Sequence, residues 1–478
     1  MTTRKRAAMS ALVLAILLAA LDQTIVSTAL PRIAADLDGF RDIAWVSAAY
    51  LLASTAATPI WGKLGDMLGR RRLYLIAIVA FLIASALCGV AQNLPELIAA
   101  RVAQGLAGGG LTVLTFALVG DIATAGERGR YQAMFGSVYG VASVAGPLLG
   151  GVFTDTLSWR LAFLINVPVG LVAVVLAIRS LPAAVRRVTA PIDYAGATLL
   201  AGVATALVLV ASFGDRWGWT SWPTIALAAA AVALAAAVVP VERRAAAPVL
   251  PLSMLTSRTV VVSSAIGFIA NVLMFSALVY LPTYLQIVDG VSATLSGVFM
   301  LPLVAGLVAS QTVAGRLIGD PARQRPILLT GLLLNVAGLL LLSTLTPSTP
   351  TALAALFFLV MGVGIGMVPM VVLASVQNSV SSEHLGAASA IVTFSRSIGA
   401  ALGVAVFGSL LTAGLPSAAD TVPAHFAAAI DHAFLWLVPL AVIGTALTLA
   451  LRRTRPTTQT ADAQAEPAFV AEVAPAAR

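Results

Sequence analysis

The segment GKLGDMLGRRR, residues 62–72, returns in a degenerate form as GRLIGDPARQR, residues 315–325. A second pair of similar segments follows in the same order, GLAGGG…GERGRYQA within 105–133 and GVGIGM…SEHLGAAS within 362–389. Two motifs that recur in one order at one spacing indicate that the chain contains two related halves. The fold is therefore expected to contain one unit built twice.

The composition is that of an integral membrane protein. Hydrophobic residues make up 59% of the 478 residues and charged residues only 10%, with a mean hydropathy of +0.98, whereas soluble domains carry about 25% charged residues. The single cysteine, Cys88, excludes a disulfide framework, and the three histidines lack metal-ligand spacing. The net charge of +8 is spread over alternate connections instead of one stripe, which argues against nucleic-acid binding.

Apolar runs predict fourteen transmembrane helices, since each needs about 20 mostly apolar residues. The runs begin near residues 8, 43, 73, 96, 131, 161, 195, 223, 259, 293, 326, 351, 386 and 432. The first run exceeds the roughly 7–15 residues of a signal-peptide core, so we interpret it as a retained span. The connections on the amino-terminal side carry 21 Lys and Arg residues against 4 on the other side, and this asymmetry predicts that both termini are cytoplasmic.

The two motif pairs lie eight spans apart, whereas two six-span halves alone would place them six apart. Two extra helices are therefore expected between the halves. Internal repeats with a central site are typical of secondary transporters. The predicted units are an N-terminal six-helix half over 1–182, a two-helix insert over 183–257, a C-terminal six-helix half over 258–453 and a disordered cytoplasmic tail over 454–478.

Asp22 lies within the first apolar run, in LAALDQTIVSTALP at residues 18–31. An ionised carboxylate in hydrocarbon costs roughly 2.5–3.5 kcal/mol even on the mildest scale, and such residues mark function by default. The polar residues around it spread over more than half of the helix circumference, so this helix lies inside the bundle or lines a watery cavity. Asp22 is either a packing residue or, the interpretation we favour, a carboxylate that titrates or pairs with a cationic substrate.

Arg101 in the fourth run is the natural counter-charge, since it lies about 9 Å below the outer end, a depth comparable with that of Asp22. Its spacing from Gln104, Gly105 and Gly108 places all four residues on one helix face. A purely structural ion pair is the alternative interpretation. If the distance between Asp22 and Arg101 changes during transport, the proton affinity of the carboxylate changes with it.

These segments resemble the major facilitator superfamily, and in particular its fourteen-span drug:proton antiporter branch. LDQTIVSTALPRI (21–33) is similar to the first-span signature of that branch, and GKLGDMLGRRR (62–72) to the cytoplasmic loop motif of the superfamily. RVAQGLAGGG (101–110), GSVYGVASVAGPLLGG (136–151) and WRLAFLINVPVG (159–170) are similar to the span-4 motif, the span-5 antiporter motif and the segment that follows it. The resemblance implies the major facilitator fold with two additional central helices, and it implies that Arg101 assists proton movement.

The loop motif combines glycines that permit a tight turn with an aspartate that can cap or contact a helix end. A topogenic charge cluster alone would explain its arginines but not this spacing. The resemblance implies that the loop latches the two halves in the outward-facing state and that Asp121 joins its charge network. The motif residues are Gly62, Gly65, Asp66, Gly69, Arg70 and Arg71.

The span-5 motif concentrates small residues that allow close helix approach, with a proline that permits a bend. Generic helix packing is the alternative interpretation. The resemblance implies that this face seals the transporter against leak. The motif residues are Gly136, Gly140, Gly146, Pro147, Gly150 and Gly151.

The expected function is proton-coupled antiport that exports amphipathic, cationic or neutral small molecules. One alternative is a dedicated exporter of a single endogenous metabolite or lipid, and another is a non-transporting membrane scaffold or sensor. Candidate residues of the substrate cavity, each of which could equally be ordinary core, are Gln23, Gln104, Phe116, Tyr139, Phe275, Tyr280 and Phe394.

Arg396 in the thirteenth run is interpreted as a satisfied structural arginine, with contact to an anionic substrate or a gate as the alternative. The glycine-rich stretches lack the ending of a phosphate-binding loop, and no catalytic or metal signature is present in the sequence. We therefore expect no enzyme activity, no nucleotide, no metal and no other cofactor, with a proton gradient as the energy source. The expected partners are a small-molecule substrate and the lipid bilayer, and the expected state is a monomer in a bacterial cell membrane.

Overall fold

The computed structural model describes residues 3–122, 125–181, 193–245, 254, 256–318, 321–346, 348–380, 385–416 and 422–451. Most of the described residues form helices, and Phe40–Asp42 form a 3-10 turn. The first half and the insert contain α1 (Thr3–Asp36), α2 (Ala44–Leu68), α3 (Arg70–Val90), α4 (Leu94–Ile122), α5 (Ala125–Thr156), α6 (Leu161–Leu164), α7 (Asn166–Ser180), α8 (Tyr194–Trp217) and α9 (Trp222–Arg244). The second half contains α10 (Arg258–Ile287), α11 (Ala293–Phe299), α12 (Leu301–Leu317), α13 (Pro321–Leu342), α14 (Thr351–Gln377), α15 (Leu385–Gly414) and α16 (Pro423–Ala450).

Within the described residues, twelve helices are long and apolar enough to cross a bilayer, when α6–α7 and α11–α12 are each taken as one unit. Two further long helices, α2 with 25 residues and α5 with 32, pack within the bundle. The fold is thus all-helical and membrane-spanning. The count of fourteen spans and the cytoplasmic position of the termini stay predictions.

The observed helices begin close to the predicted starts, with one clear error. The last helix begins at Pro423 and not near residue 432. The helix extends beyond the apolar run, because it continues back through His432 and Asp431 to Pro423. Proline is well tolerated in the first turn of a helix, and the helix continues through both polar residues.

The helices group into two halves joined by the insert. The helices α1–α7 pack mainly on one another, and α10–α16 do the same. In the insert, α8 and α9 form a pair in which α8 contacts both α2 and α15. The rings of Trp45 on α2 and Phe213 on α8 lie 5.6 Å apart, so the insert rests on the seam between the halves.

Two ends of the bundle are distinguished by their charge. The arginine-poor end is the one where α1 ends and α2 begins, and the arginine-rich end is the one where α2 ends and α3 begins. At the arginine-rich end, Gly69 alone separates α2 from α3, and its φ of 97° lies in the region that glycine adopts most readily. This single residue reverses the chain direction between two long helices. The predicted tail over 454–478 and the predicted border at 182–183 lie outside the described residues.

Candidate functional site

Asp22 and Arg101 form a buried ion pair inside the first half. An Arg101 Nη1 donates to Asp22 Oδ2 at 2.5 Å, and the two side chains are 0% and 1% exposed. The other carboxylate oxygen accepts hydrogen bonds from Gln104 Nε2 at 2.7 Å and Asn166 Nδ2 at 3.1 Å. Both oxygens of Asp22 are therefore bonded to donors from α4 and α7.

A second layer of polar groups holds these donors in place. Ser85 Oγ on α3 accepts from Gln104 and Asn166, at 2.7 and 3.1 Å. Gln104 Oε1 accepts from Arg101 at 2.6 Å and lies 3.6 Å from the thiol of Cys88. The network thus links four helices, α1, α3, α4 and α7, through side chains alone.

The guanidinium of Arg101 is also enclosed by α2 and α6. Its Nε donates to the carbonyl oxygen of Val46 at 2.8 Å, and its planar group lies 4.3 Å from the ring centroid of Tyr50 and 5.6 Å from that of Phe163. Because charge–charge, charge–backbone and cation–π contacts all act on one buried group, its position is fixed in this state. Of the two predicted environments for Asp22, the structure shows the bundle interior and not a watery cavity.

The opposite side of α1 packs against the span-5 motif. Thr24 Oγ1 donates to the carbonyl oxygen of Ala142 on α5 at 3.0 Å. A Cβ at Gly146 would overlap Thr24, and a Cβ at Gly150 would overlap Thr28 and the carbonyl of Ile25. These two glycines therefore allow α1 and α5 to approach to backbone contact, and α1 carries the ion pair on one side and the motif on the other.

The remaining described residues of the motif face the second half. A Cβ at Gly151 would overlap the backbone of Thr294, and a Cβ at Gly297 would overlap the carbonyl of Pro147. A Cβ added at Gly140 would lie 3.5 Å from the nearest methyl of Val308 on α12, which is an ordinary contact distance. The motif on α5 is thus packed between α1 and the α11–α12 unit.

The two halves are joined by hydrogen bonds to main-chain groups at the arginine-poor end. Asp155, at the end of α5, accepts from the backbone N–H groups of Ala293 and Thr294 at 3.0 and 2.7 Å. Gln286 Nε2 on α10 donates to the carbonyl oxygen of Thr28 on α1 at 2.9 Å. The hydrogen bonds found between described residues of α1–α7 and α10–α16 lie at this end, so the two halves are joined here.

The loop motif at the arginine-rich end packs within the first half. Arg70 Nη1 donates to Asp121 Oδ1 at 2.6 Å and to the carbonyl oxygen of Ala117 at 3.1 Å. A Cβ at Gly65 would overlap Leu114 on α4, while Gly62 has ordinary contact distance to Val113. Arg71 donates to the carbonyl oxygen of Ile178 on α7 at 2.6 Å. Asp121 therefore meets the motif, and the side chain of Asp66 lies outside the described part of the chain.

A family comparison identifies the architecture. The model of the Major Facilitator Superfamily matches residues 12–404, which is most of the chain. The chain belongs to the major facilitator superfamily. Membership agrees with the all-helical fold and its two packed halves, and the superfamily consists of transporters, not enzymes.

Several curated members of the superfamily are similar along most of the chain. An uncharacterised MFS-type transporter of Mycobacterium tuberculosis is 38% identical, covering 94% of this chain and 70% of that protein. Multidrug transporter protein MdtP of Bacillus subtilis is 38% identical, covering 84% of this chain and 74% of that protein. Multidrug resistance protein 3 of the same organism is 35% identical, covering 84% and 78%.

Solved structures confirm the fold at low sequence identity. A bacterial homologue of the human lysosomal transporter Spinster, in an inward-facing and occupied conformation, matches with a TM-score of 0.67 and 15% identity, covering 94% of this chain and 97% of that one. The xylose transporter XylE from E. coli matches with a TM-score of 0.62 and 14% identity, covering 96% and 100%. At this identity the match concerns the fold alone.

The described candidates for the substrate cavity lie in different environments, and their role in a cavity stays a prediction. Gln104 belongs to the buried Asp22 network, and Tyr280 is buried at the arginine-poor end, where its hydroxyl donates to the carbonyl oxygen of Val404 and its ring stacks on Phe407. Phe116 is 44% exposed on α4. The half-buried candidates are Gln23, Phe275 and Phe394. The side chains of Tyr139 and Gly136 lie outside the described residues.

Arg396 packs its aliphatic stem against Gly267 on α10, with 3.0 Å between its Cγ and the position of an added Cβ. The contact lies at the α10–α15 interface inside the second half. The interpretation as a satisfied structural arginine and the alternative roles, contact to an anionic substrate or a gate, both stay predictions.

The sequence reasoning missed three residues that the structure places in these contacts. Ser85 and Asn166 bind the Asp22 network, and Asp155 joins the halves. Asn166 stands alone in an apolar stretch, so the argument that singled out Asp22 would have found it. Asp155 ends a helix at the membrane boundary, where a carboxylate is unremarkable, and nothing in its local sequence distinguishes it.

Proposed function

We propose that the protein is a proton-coupled antiporter that exports amphipathic small molecules, cationic or neutral, by alternating access. The observation that carries this proposal is the enclosed Asp22–Arg101 ion pair on a helix that also contacts the closure between the halves. The relatives named multidrug transporter and multidrug resistance protein support export of chemically varied compounds.

The ion pair gives a physical basis for proton coupling. In the present arrangement the carboxylate of Asp22 accepts three hydrogen bonds from Arg101, Gln104 and Asn166, an environment that suits the ionised form. A proton that binds Asp22 removes the charge that holds Arg101 in place. Binding or release of the proton therefore favours different positions of α1 relative to α4.

Helix α1 is the element through which this change would reach the closure. Thr28 lies six residues after Asp22, about 9 Å along the axis, and its carbonyl oxygen accepts from Gln286 of the second half. Movement of α1 away from α4 would alter this bond and the α1–α5 contact at Gly150 together. We infer that the arrangement closed at the arginine-poor end corresponds to ionised Asp22.

The remaining features of the proposal follow from charge and chemistry. We propose fourteen spans, with α2 and α5 included, and we place the arginine-rich end and both termini in the cytoplasm because basic residues concentrate there. The closed arginine-poor end is then the outer end. We propose a monomer in a bacterial cell membrane, with a small-molecule substrate, the lipid bilayer as its surroundings, and no nucleotide, metal or other cofactor.

The decisive experiment measures accumulation of ethidium by proteoliposomes under an imposed pH gradient. The wild-type protein is expected to concentrate ethidium, and Asp22→Asn is expected to stop this accumulation while movement down an ethidium gradient continues. The reason is that asparagine fills the same space but cannot exchange a proton.

A matched control is Asp38→Asn, since Asp38 is exposed in the α1–α2 connection and its φ of 48° is one that asparagine adopts well. This variant should accumulate ethidium like the wild type. Gradient-driven accumulation by Asp22→Asn at the wild-type rate would refute the coupling role, and absence of accumulation by the wild type would refute proton-coupled export of this compound.

A further inference from the structure

Helix α16 contains a carboxylate that lies inside the second half. Asp431 follows Pro423, the first residue of the helix, by eight positions, which corresponds to about 12 Å below the arginine-poor end. Its side chain is partly buried, and its Oδ1 is buried without a hydrogen-bond partner. Among the described residues, no ion pair includes it.

A buried tyrosine on the neighbouring helix α10 is a second polar group without a hydrogen-bond partner. Tyr284 on α10 is 1% exposed, and its hydroxyl has no hydrogen-bond partner. Both Asp289 and Asp431 lie within electrostatic range of that hydroxyl, and α10 packs directly against α16. A buried polar group without a partner is unusual, and Asp431 and Tyr284 are two such groups on helices that pack on each other.

The arginines of the other helices packed against α16 are far away. Helix α13 approaches α16 at the opposite end, where Arg325 donates to the carbonyl oxygen of Leu449, 18 residues or about 27 Å from Asp431. Arg323 lies at the same end of α13. On α15, Gly414 packs at Ala429, and Arg396 lies 18 residues earlier on that helix.

The remaining titratable groups are two histidines on α16 itself. His425 lies six residues before Asp431, and the ring of His432 packs edge-on against Trp436 at 6.1 Å. On the α10 side, the groups are Tyr284 and the exposed Asp289. Among the described residues, the arginines of the helices packed on α16 therefore all lie far from Asp431.

This environment selects a proton as the ligand. An ionised carboxylate without a counter-charge is costly within hydrocarbon, whereas a neutral carboxylic acid has an O–H donor and an acceptor to offer. Asp22 differs, because both of its oxygens are already bonded to donors.

The position of Asp431 also follows the internal repeat. Helices α10 and α16 begin and end the second half as α1 and α7 do the first, and in the first half Asp22 and Asn166 meet across that helix pair. In the second half, the same pair of helices brings Tyr284 near Asp431.

We propose that Asp431 is a second proton-binding site, located in the second half, and that it carries one proton per transport cycle in addition to the one on Asp22. This inference rests on the proposed proton-coupled antiport. The proton binds a carboxylate oxygen of Asp431 from water on one side of the membrane and leaves as hydronium to the other, with no other bond changed.

The test counts protons per substrate in proteoliposomes, with ethidium as substrate and a pH-sensitive dye in the lumen. Asp431→Asn is expected to lose one proton per ethidium while ethidium still moves down its own gradient, and Asp431→Glu is expected to keep the wild-type ratio. Asp289→Asn is the matched control, since it removes a charge near Tyr284 at an exposed position and should leave the ratio unchanged.

Each other outcome is informative. An unchanged ratio in Asp431→Asn overturns the proposal, and so does a loss of downhill ethidium movement in a well-folded variant, which would indicate a structural role. If Asp431→Asn does not fold, the variant Tyr284→Phe replaces it as the test, because this substitution deletes only the hydroxyl. A shifted pH profile of ethidium transport in Tyr284→Phe supports the site, and an unchanged profile overturns it. Ethidium movement without proton movement in the wild type would instead refute the proposed function.

Discussion

At the scale of single residues, the geometry of Arg101 explains why arginine occupies this position. One guanidinium donates hydrogen bonds to the Val46 carbonyl, the Asp22 carboxylate and the side-chain oxygen of Gln104. It also lies over the ring of Tyr50. A lysine ammonium could not reproduce this planar set of directions. The residue is therefore specified by shape as well as by charge.

The energetic coupling of Arg101 to Asp22 can be measured with a double-mutant cycle. Arg101→Met leaves a buried carboxylate without its partner, and such a loss typically destabilises a protein by about 3–5 kcal/mol. The double variant Arg101→Met with Asp22→Asn should be destabilised by much less than the sum of the two single effects. Thermal unfolding in detergent provides the measurement.

The control for this cycle is Arg160→Met. Arg160 also lies on an aromatic ring, 4.4 Å from Trp159, and donates to the carbonyl oxygen of Ala91, but it is only half-buried. Its replacement should cost about 1 kcal/mol or less. If the destabilisation of the double variant equals the sum of the two single effects, the ion pair between Arg101 and Asp22 contributes no coupling energy.

At the scale of helices, the sequence predicted well where the helices lie along the chain. It predicted only in part which helices pack against one another. Runs of about 20 apolar residues locate helices reliably, and depth arithmetic placed Arg101 level with Asp22. The same reasoning could not find Ser85 or assign Gln104 to the network instead of the cavity, because periodicity gives the face of a helix but not the helix that packs on it. The start of α16 was missed because the helix extends beyond its apolar run to Pro423.

The close contact between α1 and α5 predicts a selective sensitivity to added methyl groups. Gly150→Ala would place a Cβ against the carbonyl of Ile25 and the hydroxyl of Thr28, and overpacking of this kind costs about 1–3 kcal/mol. We expect a lower unfolding temperature and slower ethidium transport.

Gly140→Ala is the matched control in the same helix, since its Cβ would meet Val308 at an ordinary 3.5 Å. This variant should behave like the wild type in both measurements. Equal effects of the two substitutions would mean that helix propensity, and not the α1–α5 distance, controls the result.

At the scale of the whole molecule, the closure at the arginine-poor end depends on one carboxylate of the first half. Asp155→Asn retains a carbonyl oxygen but loses the charge that strengthens its bonds to Ala293 and Thr294. A hydrogen bond to a charged group contributes about 1.5–3 kcal/mol, so loss of one should shift the closed-to-open ratio roughly tenfold or more. The outward-open state should therefore become more populated.

Disulfide cross-linking measures this population. An added Cβ at Gly408 would lie 2.9 Å from the Cβ of Ala44, so Ala44→Cys with Gly408→Cys should cross-link in the closed state after a small adjustment. The native Cys88 is buried and does not compete. Asp155→Asn is expected to lower the cross-linking rate, and Asp38→Asn is not; an unchanged rate in Asp155→Asn would show that the carboxylate does not hold the closure.

The closure has a further consequence for how such a protein can evolve. Its partners are mostly main-chain groups, namely the N–H groups of Ala293 and Thr294 and the carbonyl oxygens of Thr28 and Pro147. Every amino acid except proline supplies the same N–H group, so substitutions at these partner positions leave the seal largely intact. Side chains elsewhere in the bundle can therefore change during evolution while the contacts that close the arginine-poor end are kept.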